Sequence, residues 1–173
     1  MNRPPTFILD ANIFITAKNS YYGFTICPGF WESILKEHAS GRCFSISRVR
    51  SELLAGRRDE DLRMWVEAKL PPSFFLEVDV LSVMERYTEI MMWSQRAERY
   101  GDEARAKFAT GADGWLVAYA AVNDAVVVTN ETTSPNSIRS IKLPDVCSQF
   151  GVETCNLFSM LRSLGVSFVL SPR

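Results

Sequence analysis

Apolar residues in this chain follow two rhythms. Three short runs, Phe7-Ile8-Leu9, Cys43-Phe44-Ser45-Ile46 and Ala125-Val126-Val127-Val128-Thr129, are almost unbroken and rich in β-favouring residues. Runs of that length read as strands buried on both faces, the habit of a parallel sheet. Elsewhere apolar residues recur at helical spacing, as in Phe30, Trp31, Ile34 and Leu35 between Pro28 and Gly41. The spacing predicts a short helix over 13–17, a loop over 19–23, a helix from Pro28, and one over 47–54 with Ser47 as its N-cap. Two more are predicted over 59–70 and 80–100, with an extended piece at 74–78 between them. Thr110 and Asp113 have capping-box form and open a helix that Asn123-Asp124 stops. Pro144 opens a short helix, 152–155 suits a strand, and 157–164 another helix. Residues 166–170 suit a last strand or an extended tail. Strand, helix and strand in alternation predict an α/β fold with a parallel sheet.

Length and composition narrow the class. A chain of 173 residues, 47% hydrophobic and 23% charged, predicts one domain over 1–173 with a sizeable core. No apolar run reaches membrane-spanning length, and the N-terminus lacks a signal-type core, so a soluble cytoplasmic protein without a membrane partner is expected. The net charge of −1 supplies no global attraction for a polyanion, which leaves local clusters to do so. Four cysteines without a C-x-x-C pair and a single histidine, His38, make an ordinary zinc site improbable. The thiols read as buried, and His38 as a solvated residue near a helix end. A histidine base has little to build on here. Enzymatic chemistry, if present, falls to carboxylates and metal.

Four acids stand where such chemistry is done. Asp10 and Glu131 each follow a buried strand, Glu52 sits in the helix after another, and Asp113 opens a helix. Each has an ordinary reading alone: a turn or cap for Asp10 and Asp113, a surface glutamate for Glu52, a strand-end turn for Glu131. Glu52 lies about 60° from Val49 on a helical wheel, at the edge of the apolar face and partly drawn inward. In an open α/β sheet these positions converge at the carboxyl edge, where ligands bind. Gathered carboxylates raise one another's pKa, and a hard divalent cation, Mg²⁺ or Mn²⁺, relieves the repulsion. Bound metal would also activate water against a phosphate. Arg48, Arg50 and Arg57 could simply solvate Glu52, or as rim cations offset the repulsion that an RNA phosphate meets, while Arg96, Arg99, Arg105 and Lys107 read as a solvated helix face or a polyanion path.

Together these features carry a resemblance: a strand ending Asp-x-Asn (Asp10, Asn12), Glu52 in RSEL, Asp113 in ADGWLVAYA, then VVVTNE with Glu131, and IKLPDVC beyond. The chain resembles PIN-domain proteins, in particular VapC-type ribonucleases of bacterial toxin–antitoxin pairs, over essentially its whole length. The resemblance implies a single PIN-like, Rossmann-like domain, a parallel sheet of four or five strands flanked by helices. It also implies an Mg²⁺- or Mn²⁺-dependent endoribonuclease acting on RNA, commonly a homodimer, held inactive by a cognate antitoxin. Asp10, Glu52 and Asp113 match the family's three acidic positions. Glu131 stands where many members carry Asp, with Asn130 and Asp145 as rivals for the fourth place. Asn12 and Thr129 match the polar positions that support the first and fourth acids. A haloacid dehalogenase-type phosphotransferase would want Asp at position 12, which is Asn, and a receiver domain would want an N-terminal acidic pair. A catalytically silent PIN scaffold binding protein or RNA is the reading from another class.

Overall fold

The computed structural model describes residues 4–57 and 60–170. The first residue of the helix expected over 59–70, and both ends of the expected 1–173 domain, lie outside them. Five strands, β1 (Phe7–Leu9), β2 (Cys43–Ile46), β3 (Phe75–Leu76), β4 (Val126–Val128) and β5 (Thr154–Cys155), form one parallel sheet in the order β3-β2-β1-β4-β5. β1 is central because it is apolar on both faces. Ile8 and Leu9 have no exposed surface, and Phe7 pairs with Cys43 on one side and Val126 on the other. Nine α-helices flank the sheet among the described residues: α1 (Ala11–Thr16), α2 (Pro28–Ala39), α3 (Ser47–Leu54), α4 (Asp61–Lys69), α5 (Leu81–Arg96), α6 (Asp102–Thr110), α7 (Asp113–Asn123), α8 (Leu143–Gln149) and α9 (Leu157–Ser163). The architecture is the expected α/β one.

After β1 the chain builds outward through β2 and β3, then returns to the far side of β1 for β4 and β5. The order therefore reverses between β1 and β4. Parallel pairing puts every strand's carboxyl end on one edge, and the reversal opens a crevice there. Asp10 leaves β1 and Thr129 leaves β4 at that point. Buried Ser45 donates its hydroxyl to the Leu9 carbonyl (2.6 Å), satisfying the last peptide of β1 beside Asp10.

Several boundaries differ from expectation, each for a local reason. The helix expected over 80–100 stops at Arg96; Tyr100 turns inward until it is 2% exposed, the Gly101 N–H bonds the Ile138 carbonyl (3.0 Å), and α6 starts afresh. Residues 17–21, which span the end of the helix expected over 13–17 and the start of the loop expected over 19–23, wind into a π-helical turn closed by the Tyr22 N–H on the Ala17 carbonyl (2.6 Å). Ile46, not Ser47, is the N-cap of α3. The Thr110–Asp113 capping box does not form: Thr110 donates back to the Ala106 and Lys107 carbonyls, and Ala112 is the N-cap of α7. Asp124 ends α7 as expected, in the left-handed region at φ 51°. Residues 166–170 add no strand; Phe168 lies against Tyr22 (5.5 Å between ring centroids). His38 is half-buried rather than solvated, with Nδ1 3.2 Å from the Cys43 carbonyl and Nε2 3.0 Å from the Ser73 hydroxyl. It sits where β2 begins, at the edge away from the crevice. Cys43 and Cys147 are buried, Cys27 and Cys155 half-buried, and all four are free thiols.

Candidate active site

Asp10 is the floor of the crevice. It occupies the N-cap position of α1, where the Asn12 backbone N–H pulls on its carboxylate without completing a well-aligned capping bond. It is 3% exposed, and the Thr129 hydroxyl donates to its Oδ2 (3.2 Å). Burial pushes its carboxyl up to about 6, against the pull of the Asn12 backbone N–H and Thr129, with Glu131 and Glu52 adding repulsion. Asn12 thus supports Asp10 through its peptide, and its own side chain is exposed. Thr129 does more than expected. Its Oγ also accepts from the Glu131 N–H (3.1 Å), so one hydroxyl couples the first acid to the backbone of the fourth.

Asp113 is the first residue of α7 and half-buried. Its carboxyl rises to about 7, through burial first and then through the charges of Asp10, Glu131 and Glu52; only Lys107 pulls the other way. A helix N-terminus favours a carboxylate by about 0.3–1 kcal/mol, so burial and like charge outweigh the dipole here. Buried Cys147, its thiol pushed up to about 12 by burial and then by Asp113 and Asp10, places α8 beneath the same pair. Gly114 lets α7 approach α5: a Cβ there would lie 2.6 Å from the Met91 methyl and 3.0 Å from the Tyr87 ring.

The two glutamates are held by backbone. Glu52 is exposed, not drawn into the protein, because it reaches across to the start of α7, where its Oε1 accepts from the Ala112 N–H (2.9 Å). It supplies the cap that Thr110 does not. Glu131 does the same for α8: Oε2 accepts from the Leu143 N–H (3.0 Å), and Oε1 lies 3.4 Å from Lys142 Nζ. The rivals for the fourth place are engaged elsewhere. The Asn130 carboxamide oxygen accepts from the Leu157 N–H (3.5 Å), and the Asp145 carboxylate accepts from the Ser134 N–H (3.2 Å).

Asp10 and Asp113 thus form the coupled, desolvated centre, with Glu52 and Glu131 near enough to act on both through charge. No group of three or more Asp, Glu, His or Cys side chains among the described residues is drawn tightly enough to hold an ion unaided. The donor chemistry still fits a hard cation. All four side chains offer oxygen, burial and then repulsion raise two of them, and Mg²⁺ commonly keeps several waters and takes only one or two carboxylates from the protein.

The cations are less uniform than the sequence suggested. Arg48 lies over the Trp115 ring (5.1 Å), 3.7 Å from Asp79, and lines a cleft of about 490 Å³ with Glu52 and Tyr87. Arg50 instead turns to Phe75 at the β3 edge (5.9 Å). Arg57 is exposed at the end of α3 and has a partner. Arg99 and Arg105 brace the 97–101 turn, on the Pro135 and Ala97 carbonyls respectively. Two cations at the site were not singled out from the sequence as acting there: Lys107, which acts on Asp113, and Lys142, which pairs with Glu131. The mixed run before Asp113 was a signal for Lys107; IKLP gave none for Lys142.

The chain belongs to the family described as a domain of unknown function (DUF4411), whose model matches residues 7–168. No curated protein matches it. Among solved structures it is similar to FitAB bound to an IR36 DNA fragment, at 18% identity over 87% of this chain and 94% of that one, with a TM-score of 0.53. It is also similar to FitAcB from Neisseria gonorrhoeae, at 17% identity over 86% of this chain and 96% of that one, with a TM-score of 0.51. A likeness of that degree establishes the fold alone, an α/β one with a five-stranded parallel sheet flanked by helices.

Proposed function

We propose that this DUF4411 protein is an Mg²⁺- or Mn²⁺-dependent endoribonuclease, the toxin of a type II toxin–antitoxin pair. The observation that carries the reading is the raised pair Asp10 and Asp113, at about 6 and about 7, at the reversal of strand order in a PIN-like sheet. Desolvated like charges are costly unless a cation relieves them, and sites that keep such charges are commonly functional. A divalent ion bound there would polarise a phosphate and lower the pKa of a water. The chain's own part is positional. Thr129 fixes Asp10, and the starts of α7 and α8 fix Glu52 and Glu131. Lys142 offsets one charge, while Lys107 and Arg48 stand where an RNA phosphate must approach an acidic crevice.

A cognate antitoxin would cover this crevice or insert a basic side chain into it. FitAB is bound to DNA. With a net charge of −1, this chain would leave any comparable DNA contact to its partner. For a homodimer we assign the face of α5 that shows Leu81, Met84 and Met92, which are 71%, 45% and 46% exposed and fall on one side of the helix.

One observation favours the second reading, a silent scaffold. Glu52 and Glu131 are occupied with backbone N–H groups, and no three acids close on a point among the described residues. Cleavage of a generic single-stranded RNA with Mn²⁺ and with EDTA separates the two. The nuclease reading expects metal-dependent cleavage that Asp10→Asn nearly abolishes while the thermal unfolding transition persists. No cleavage by folded wild-type protein, or equal cleavage by Asp10→Asn, overturns it.

A further inference from the structure

Beside Asp10 and Asp113, beyond the carboxyl ends of β4 and β5, lies a cleft of about 660 Å³ that shares Thr129 and Glu131 with the site and whose aromatic side the reading above leaves unused. Its size is within the usual range for small-ligand sites, about 300–1,000 Å³. Glu131, already paired with Lys142, is the only charged residue among its lining, and no arginine or lysine enters it. No cation among the described lining offsets the charge of a phosphate there. A flat neutral ring has partners: Tyr21 and Phe158 line the cleft with 53% and 39% of their surface exposed, their centroids 5.5 Å apart and their planes crossing at 71°. Tyr21 owes its place to the π-helical turn over Ala17–Tyr21, a rare geometry that recurs at functional sites.

The polar groups state a preference. The carboxamide oxygens of Asn130 and Asn156 are taken, by the N–H groups of Leu157 (3.5 Å) and Ser159 (2.9 Å). What each asparagine has left is its pair of N–H donors. Exposed Thr132 and Thr133 add hydroxyls that serve either role. Leftover donors favour a ring edge with carbonyl oxygens, and adenine is the base without one.

We propose that this cleft is a base-recognition subsite of the RNA-binding surface. It would hold a nucleotide beside the scissile phosphate, stack its base on the face of one of the two rings with the other ring against its edge, and favour carbonyl-bearing bases over adenine. The proposal rests on the ribonuclease reading and deepens it.

The test measures binding rather than cleavage. Full-length Asp10→Asn protein is titrated with fluorescently labelled single-stranded oligouridine and oligoadenosine, and binding is followed by anisotropy. Oligouridine is expected to bind more tightly. Adding Tyr21→Ala or Phe158→Ala should weaken oligouridine binding about 5- to 150-fold, the range of one lost base–aromatic contact, and erase the preference. Tyr21→Phe should keep both. Arg48→Ala, as a phosphate-side control, should weaken the two strands alike. Thermal unfolding confirms that each variant is folded. Alanine variants that bind like their parent, or a parent without preference, overturn the subsite. Wild type that cleaves RNA while the alanine variants bind normally sinks the subsite alone. Wild type that does not cleave, with variants that lose binding, sinks the nuclease and leaves the subsite standing. Absence of any RNA binding sinks the subsite outright.

Discussion

Replacing Asp113 by Asn should stabilise the metal-free protein at high pH and leave it unchanged at low pH. The folded chain holds the Asp113 proton up to about 7, whereas an unfolded chain releases it near 3.8. Between those values the folded state binds more protons, so wild-type stability falls as pH rises from about 4 through 7. Raising a carboxyl that far corresponds to roughly 4 kcal/mol. Part of it is repulsion shared with Asp10, so removing one charge should recover roughly 2–4 kcal/mol. For a chain of this length that is roughly 5–15 °C in Tm. The assay is the difference in Tm between Asp113→Asn and wild type in EDTA, from pH 4 to pH 8.5. It should start near zero, climb from about pH 4 to pH 7 and level off above. Mn²⁺ at pH 8 should raise wild type and narrow the gap. A difference that is flat in pH, or a variant less stable than wild type at pH 8, refutes the claim that Asp113 is a strained carboxylate.

Thr129→Val removes the donor to Asp10 and the acceptor for the Glu131 N–H; stability should fall by about 1–2 kcal/mol in urea titrations and cleavage by about 10- to 100-fold. Hydrolysis by activated water should leave 5′-phosphate and 3′-hydroxyl ends, whereas a 2′,3′-cyclic phosphate found by mass spectrometry would show attack by the ribose hydroxyl instead. Expressed alone, the chain should slow bacterial growth, with rescue by the gene encoded beside it; normal growth from soluble wild-type protein removes the toxin role but not the nuclease. Glu52→Ala should cost about 1 kcal/mol as a lost helix cap, read by thermal unfolding, in contrast to the gain from Asp113→Asn.

The sheet was legible because its strands are apolar on both faces. Runs such as Phe7-Ile8-Leu9 and Val126-Val127-Val128 fit few places other than the middle of a parallel sheet. Their polar endings, Asp10 and Thr129, were legible for the same reason, since the run stops where the chain meets the crevice. The break at 97–101 was not legible, because Tyr100 at that point looks like another apolar residue at helical spacing until its burial is seen. Nor were the partners of the side chains. Thr110 and Asp113 have the spelling of a capping box, yet the bond at that helix start comes from Glu52, sixty residues away in the chain. Local spacing carries no trace of it.

That long-range bond is one of three of a kind. Glu52 accepts from the N–H of Ala112, the N-cap of α7, Glu131 from the first N–H of α8 and Asn130 from the first of α9, each from a neighbouring element at the carboxyl edge of the sheet. Free N–H groups at a helix start need acceptors, and these three side chains supply them across the crevice. The polar residues of the site therefore divide. Glu52, Glu131 and Asn130 tie the helices to the frame, so their charge or polarity is already compensated by backbone. Asp10 and Asp113 are compensated less: the Asn12 backbone N–H and the Thr129 hydroxyl do not offset the burial of Asp10, and Asp113 gains only Lys107 against three acids. Rigid caps hold the strained pair in place, which is how a fold keeps an unfavourable cluster it uses. For the nuclease we propose, the consequence is an order of loss. Removal of either aspartate should abolish cleavage while sparing or raising stability, and removal of either glutamate should lower both together.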